Sequence, residues 1–362
     1  MAVLEERDKL TGGWTGRLLD ADVHATVPSI EVLKPYLEPY WLEFVNETGF
    51  EAPPWTGTFY PPGAETTVAP EWIPGDGRPA ASSLDHLRQH ILDPCGVERA
   101  VLNCYWGIEA VRHPDFALGL ARAVNDWLVE EWLERDERLR ASLVVPGFVP
   151  EEAAAEIDRV GGHPGFVQVL LPVRSSRLYG QRPWHPMFAA IERNDLVAGI
   201  HYGGTPDAAP TPTGYPSWFL EEYVGHVQTF QAQLLSLVGE GLFEKFPKLR
   251  VSLLESGFTW LGPTLWRMDK EWKGLRRDVP WVKQLPSKTV HEHIKVSVQP
   301  LDAGPPEGFR RAVEWLDSDE LLMYASDYPH GQGDCISQLL DVLPEAAHAK
   351  LMAANAAAQY RL

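Results

Sequence analysis

The feature that most narrows the fold of this chain is an alternation of short apolar runs with longer amphipathic ones. The apolar runs are LLDADVH (18–24), RAVLNCYW (99–106), RASLVVPG (140–147), GFVQVLLP (165–172), LVAGIHYG (196–203), LRVSLLESG (249–257), KVSVQPLD (295–302) and LLMYASDYPHG (321–331). Runs of this length, nearly continuous in apolar residues, are what a parallel strand buried on both faces requires. The stretches between them carry helical spacing. In 116–139, Leu118, Ala121, Val124, Leu128 and Trp132 recur on one face at three- and four-residue intervals. Similar patterns occupy 151–160, 185–195, 229–246 and 306–319. Eight strand–helix units predict a closed (β/α)8 TIM barrel in the α/β class. No G-x-G-x-x-G follows the first run, which argues against an open dinucleotide-binding sheet. One domain is expected over residues 1–362.

Two segments break the rhythm after runs one and five. Residues 40–82 are rich in Pro, Gly and aromatics, among them Trp41, Phe44, Trp55, Phe59, Tyr60 and Trp72. Residues 204–220 (GTPDAAPTPTGYPSWFL) have the composition of a loop or lid. Loops after barrel strands build the active site, so both are expected near it. A third irregular stretch, 274–293, could reach a neighbouring subunit.

Composition excludes several classes of function. With 50 acidic against 32 basic residues the net charge is −18, and no basic cluster is present, so no nucleic-acid partner is expected. A small-molecule substrate is expected instead. No run of about 18 apolar residues appears, so no membrane span is expected. The opening MAVLEERDKL lacks the apolar core of a signal peptide, which predicts a cytoplasmic location. Cys95, Cys104 and Cys335 are odd in number and lack C-x-x-C spacing, which argues against disulfides and a thiolate zinc knuckle.

The positions of His and Asp carry the chemistry. In a parallel barrel all C-terminal strand ends face one mouth, so remote residues converge there. Asp22 and His24 close the first strand at i, i+2 and share a face. His201 closes the fifth strand, and Asp327 closes the eighth, the first strand's neighbour in a closed barrel. Singly, each has an ordinary reading as a buried or turn residue. Together, two imidazoles and two carboxylates make an N/O site for one divalent cation. Zinc is the first expectation and manganese the second. Glu255 ends the sixth strand and could hold a ligand histidine in its tautomer, or pair with an arginine. Arg174 and Arg182 follow the fourth strand and could clamp a substrate carboxylate, or serve as surface ion pairs. His330 could contact Asp327's loop. Trp260, Trp266 and Trp272 read as core or interface anchors.

The segments DADVHATVP (20–28), AGIHYGG (198–204), GHVQTFQAQLLSLVGEGLFEKFPKLRVSLLESGFTWL (225–261) and YASDYPHG (324–331) carry a resemblance. The chain resembles the amidohydrolase superfamily, in the branch of aminocarboxymuconate-semialdehyde decarboxylase and γ-resorcylate decarboxylase, from about residue 18 to 360. Many members carry His-x-His on the first strand, whereas here His24-Ala25-Thr26 stands. The γ-resorcylate type, with an acidic residue, one intervening residue and then His, fits better and pairs Asp22 with His24. The family's binuclear members use a carbamylated Lys on the fourth strand. GFVQVLLP has none, which implies one metal ion. The resemblance implies that His226 orients or protonates the substrate, and that the protein is a homodimer, which the Trp-rich segment 260–281 also suits.

Three functions follow as expectations. The first is non-oxidative decarboxylation of an aromatic or unsaturated carboxylic acid, with Asp327 or His226 delivering a proton to carbon. The second uses the same parts as a hydrolase of an amide, ester, lactone or C–C bond, with metal-activated water. The third is a barrel that binds a small molecule without turnover.

Overall fold

The computed structural model describes residues 8–53, 67–204, 208–211, 213–331 and 335–362. Eight parallel strands form one sheet in sequence order: β1 (Leu19–His24), β2 (Arg99–Asn103), β3 (Leu139–Val144), β4 (Phe166–Arg174), β5 (Val197–Gly204), β6 (Arg250–Leu254), β7 (Ile294–Ser297) and β8 (Leu322–Met323). Each of the eight apolar runs overlaps one strand. The sheet closes where the chain after β8 returns to β1. Ala21 N–H donates to Tyr324 O, His24 N–H to Tyr328 O, and Asp327 N–H to Asp22 O, at 2.8–3.0 Å. The architecture is therefore the (β/α)8 barrel that the alternation predicts.

The longer helices surround it: α1 (Pro39–Thr48), α2 (Pro114–Leu128), α3 (Pro150–Val160), α4 (His185–Arg193), α5 (Phe219–Gly239), α6 (Leu261–Leu275), α7 (Pro286–His293), α8 (Pro306–Glu314) and α9 (Asn355–Tyr360). The main apolar core lies between strands and helices, for instance Leu102, Leu143, Ile200 and Leu253 against Leu120, Val124, Ile191 and Leu237. A second apolar cluster, from Leu19, Ala21, Val101, Val167, Val197, Leu254 and Met323, lies inside the barrel and receives Ala353, Ala356 and Tyr360 from the C-terminal segment. The last helix thus plugs one end of the barrel, and the other end is left to the site. Among the described residues no helix is long and apolar enough to cross a membrane.

Three expectations shift. The eighth strand is regular only to Met323 rather than to 331: beyond it the pairing with β1 continues as separate bonds at Tyr324, Asp327 and Tyr328, and the left-handed φ of 57° at Asp327 breaks the extended backbone. The stretch 274–293 is not wholly irregular. It contains α7, and it folds back on its own barrel through Ser287 to Asp269 and Trp281 Nε1–H to Gly239 O at 2.7 Å. Helix α5 begins at Phe219, ten residues before the pattern at 229 suggested. Glu221 accepts from the N–H groups of Ser217 and Trp218 there and so caps the extra turns. Of the two inserted segments, 54–66 (with Trp55, Phe59 and Tyr60), 205–207 and 212 lie outside the described residues. The described end of the first insertion lies on the mouth: Ala69 N–H donates to Pro329 O, and Gly331 N–H to Thr67 O.

Candidate metal centre

Four strand-end residues meet at the mouth of the barrel. Asp22, His24, His201 and Asp327 each offer one ligand atom, and these atoms all lie within 4.8 Å of one another. All four side chains are buried. His24 Nε2 is 3.1 Å from Asp327 Oδ1 and 4.0 Å from Asp22 Oδ1, while His201 Nε2 is 3.2 Å from Asp22 Oδ2. Atoms bound about 2.1 Å from a common ion stand roughly 3–4 Å apart, so this spacing suits one cation.

The backbone makes the cluster possible at β1. A simple alternation that puts Leu19 and Ala21 inside the barrel would turn Asp22 outward. The β1–β2 register slips between Asp20 and Val23. That one-residue bulge brings Asp22 and His24 to the same rim as His201. Asp20 helps hold it: its Oδ1 accepts from Asp22 N–H at 3.2 Å and from Ser326 N–H at 3.0 Å, bridging the seam beside Asp327.

Surrounding groups orient the ligands. His201 Nδ1–H donates to Tyr202 O at 2.7 Å, which leaves Nε2 as the nitrogen turned inward to a ligand position. Glu255, the residue suggested for that task, stands 3.8 Å from Nδ1 and receives the Tyr223 hydroxyl at 3.0 Å instead. Asn103 Nδ2–H donates to Asp22 Oδ1 at 2.7 Å. The Tyr105 ring stacks on His201 at 6.1 Å between centroids. Asp22 Oδ2, Asp327 Oδ2 and His201 Nε2 are buried and make no well-aligned hydrogen bond, although His201 Nε2 and Asp22 Oδ2 face each other at 3.2 Å. Leaving such groups bare costs about 1–3 kcal/mol each. Three of them aimed into one space are what a divalent ion would satisfy, and the donor set fits it.

Electrostatics follow from this crowding. Burial opposes charge on His201, but adjacent Asp22 outweighs it and lifts the imidazole to about 10. His330 Nδ1 lies 3.2 Å from Asp327 Oδ1; burial opposes its charge too, and Asp327 raises it to about 9. Burial alone would raise Asp327, yet His330 and His24 hold it well below the usual carboxylate range. Burial, with the Asp327 charge added, pushes Glu255 upward. His226, on α5, is lowered to about 4 by burial. Its Nδ1–H donates to Tyr223 O, and its buried Nε2 has no hydrogen-bond partner. The ring lies 4.9 Å from that of Tyr202, the neighbour of His201.

The two arginines part company. Arg174 ends β4 as a buried side chain 3.3 Å from Glu222 Oε1. Arg182 is exposed on the turn before α4, outside the buried cluster. Asn103, Tyr105, Tyr202 and Tyr223 were not singled out from sequence. Asn103 did leave a signal, a polar residue inside the apolar run RAVLNCYW.

The profile of the amidohydrolase family matches residues 20–362. The γ-resorcylate decarboxylase of Rhodococcus jostii (strain RHA1) is 26% identical over 301 residues, 77% of this chain and 88% of that protein. The γ-resorcylate decarboxylase of Rhizobium sp. (strain MTP-10005) is 28% identical over 195 residues, 51% of this chain and 59% of its own length. Among solved structures, 5-carboxyvanillate decarboxylase from Novosphingobium aromaticivorans DSM 12444, complexed with manganese and 4-hydroxy-3-methoxy-5-nitrobenzoic acid, superposes with a TM-score of 0.69 at 19% identity, covering 98% of this chain and 99% of that one. At that identity the likeness establishes a shared fold.

Proposed function

The chain belongs to the amidohydrolase family, and on that premise we propose that it is a metal-dependent, non-oxidative decarboxylase of an aromatic carboxylic acid. The observation that carries the reading is the buried two-His, two-Asp cluster with bare atoms turned to one space. The γ-resorcylate decarboxylase relatives support the choice of reaction.

When bound, the cation would draw electron density from the substrate's carboxylate or an adjacent hydroxyl as the C–C bond breaks. Asp22, His24, His201 and Asp327 would hold it. Zinc was the first expectation from sequence. The N/O ligands suit manganese equally, and the manganese in the related decarboxylase favours it here.

The carbon that loses CO2 must gain a proton, and two groups were candidates to deliver it. His226 turns Nδ1 to Tyr223 O, and burial lowers its pKa and so disfavours a second proton on Nε2. It is therefore an acceptor, suited to orient a substrate hydroxyl. Asp327 shares Oδ1 with His330 and can relay a proton from it to carbon. A hydroxyl-bearing ring is the substrate class that uses both. Arg174, paired with Glu222, packs against Gly204.

His226 as an acceptor would also serve hydrolysis, by taking a proton from water. The deciding experiment incubates manganese-replete protein with hydroxybenzoates, and separately with esters and lactones. CO2 release from a hydroxybenzoate is expected, at least tenfold faster than from Asp327→Asn. Hydrolysis without CO2 release would replace this reading with the second one.

We also propose a homodimer. Trp266 and Trp315, in ring contact at 5.1 Å, are 52% and 40% exposed on the outer surface. Light scattering at micromolar protein tests it, and a monomer mass would refute it.

A further inference from the structure

Between the four ligands and the apolar cluster that fills the plugged end, the barrel interior holds a group of polar side chains, where such barrels are usually filled by branched apolar ones. Asn103 on β2, Ser142 on β3, Gln168 on β4 and Ser252 on β6 are fully buried. Gln359 and Tyr360 of α9 reach up to them from the plugged end.

The hydrogen bonds join these residues into one chain, and their direction is determined. Gln359 Nε2–H donates to Val251 O at 2.9 Å and to Ser252 Oγ at 3.2 Å. The Tyr360 hydroxyl donates to Gln168 Oε1 at 3.0 Å, so at the 3.3 Å contact between Ser252 and Tyr360 the serine must be the donor. Gln168 Nε2–H donates to Ser142 Oγ at 2.7 Å and to Asn103 Oδ1 at 3.3 Å. Ser142 Oγ–H donates to Asn103 Oδ1 as well. With its oxygen so occupied, the Asn103 amide can only turn its N–H to Asp22 Oδ1. Apart from the Gln359 bond to Val251 O, the donors run one way, from the C-terminal helix to Asp22.

Gly199 on β5 fits this scheme. A Cβ there would stand 2.3 Å from Gln168 Cδ, so glycine leaves the room that the glutamine occupies. A fully satisfied polar chain is no more stabilising than apolar packing of similar volume. Stability alone therefore gives no reason for six buried polar residues in register.

We propose that this chain is a positioning device for Asp22. Tyr360, acting through Gln168, Ser142 and Asn103, holds Oδ1 and leaves Oδ2 aimed at the cation, so the C-terminal helix sets metal affinity from the far end of the barrel. The inference rests on the reading of the cluster as a divalent-metal centre. Donors aligned head to tail polarise one another, which transmits the effect across four residues.

The test is calorimetric titration of Mn2+ into the full-length protein, with thermal melts and Mn2+ electron paramagnetic resonance spectra of the same samples. Asn103→Leu is expected to weaken Mn2+ binding roughly 10–100-fold, as loss of an orienting partner does elsewhere. Tyr360→Phe should weaken it about 3–10-fold and shift the spectrum in the same sense as Asn103→Leu. The double variant should bind no more weakly than Asn103→Leu alone, because the chain is already cut; a packing role would multiply the two losses. Gln168→Leu cuts both routes from Tyr360 to Asn103 with the sequence of α9 unaltered, so the test survives even if a Tyr360 variant fails to fold. Wild-type affinity in Tyr360→Phe and Gln168→Leu, or multiplied losses, would overturn the inference and leave the metal centre standing. Wild-type protein that binds no Mn2+ would overturn both.

Discussion

Removing and restoring the metal is the perturbation that most directly tests the centre. A ligand that binds only the folded state adds RT ln(1 + [L]/Kd), about 2.7 kcal/mol at a hundredfold excess over Kd and roughly 1.4 kcal/mol for each further tenfold. Unfolding entropy near Tm is about 2.1 cal/mol/K per residue, which over 362 residues gives roughly 760 cal/mol/K. Chelated protein should therefore melt about 3–4 °C below protein at a hundredfold excess of Mn2+ over Kd, with each further tenfold adding about 2 °C. The cluster explains why binding belongs to the folded state alone: its atoms, within 4.8 Å of one another, come from residues up to 305 positions apart (Asp22 to Asp327). Asp22→Asn keeps the side-chain volume and removes a charged ligand, so its melting temperature should hardly respond to metal. Differential scanning calorimetry over a concentration series reads both slopes. A wild-type Tm indifferent to Mn2+ and Zn2+, or an unchanged slope in Asp22→Asn, would refute the reasoning.

Three further outcomes are expected. His226→Gln should lower kcat roughly 100–10,000-fold while Mn2+ affinity stays within twofold of wild type, because His226 is not one of the four ligands; steady-state kinetics and titration together check this. Asp136 is buried among Arg88 and Arg138, whose hydrogen bonds hold its carboxyl well below the usual range. A depressed carboxylate stabilises the fold above its unfolded pKa of about 3.9 and loses that contribution as pH falls through the folded value. Asp136→Asn should thus cost about 2 kcal/mol at pH 7, and the gap should narrow below about pH 4 in urea unfolding at graded pH. Gly203→Ala places a Cβ 2.5 Å from the Tyr105 ring at a φ of +130°, a conformation that alanine resists. It should destabilise by roughly 1–3 kcal/mol and displace the ring from His201, seen as a changed tyrosine signal in near-ultraviolet circular dichroism.

The sequence by itself determined the barrel and the four residues at its rim. Strand-length apolar runs can be buried on both faces only in a parallel sheet, and His24, His201 and Asp327 fall in the later halves of the runs that carry β1, β5 and β8. Local pattern could not show how Asp22 comes to face them. That depends on the register slip between Asp20 and Val23, which exists only because β2 and the 324–328 segment pair on either side of β1. Glu255 is recognisable as a rim residue, but its partner, Tyr223, lies in the part of α5 that precedes the helical pattern beginning at 229. Arg174 and Arg182 look alike as neighbours in a string; tertiary packing buries one against Glu222 and leaves the other in solvent. The polar chain beneath Asp22 was least legible of all. Each of its members is a single polar residue in an unrelated segment, and only barrel closure, with α9 inserted from below, brings 103, 142, 168, 252 and 360 within hydrogen-bond reach. Periodicity is a property of neighbours along the chain, whereas a hydrogen bond between remote residues is fixed by where closure places them.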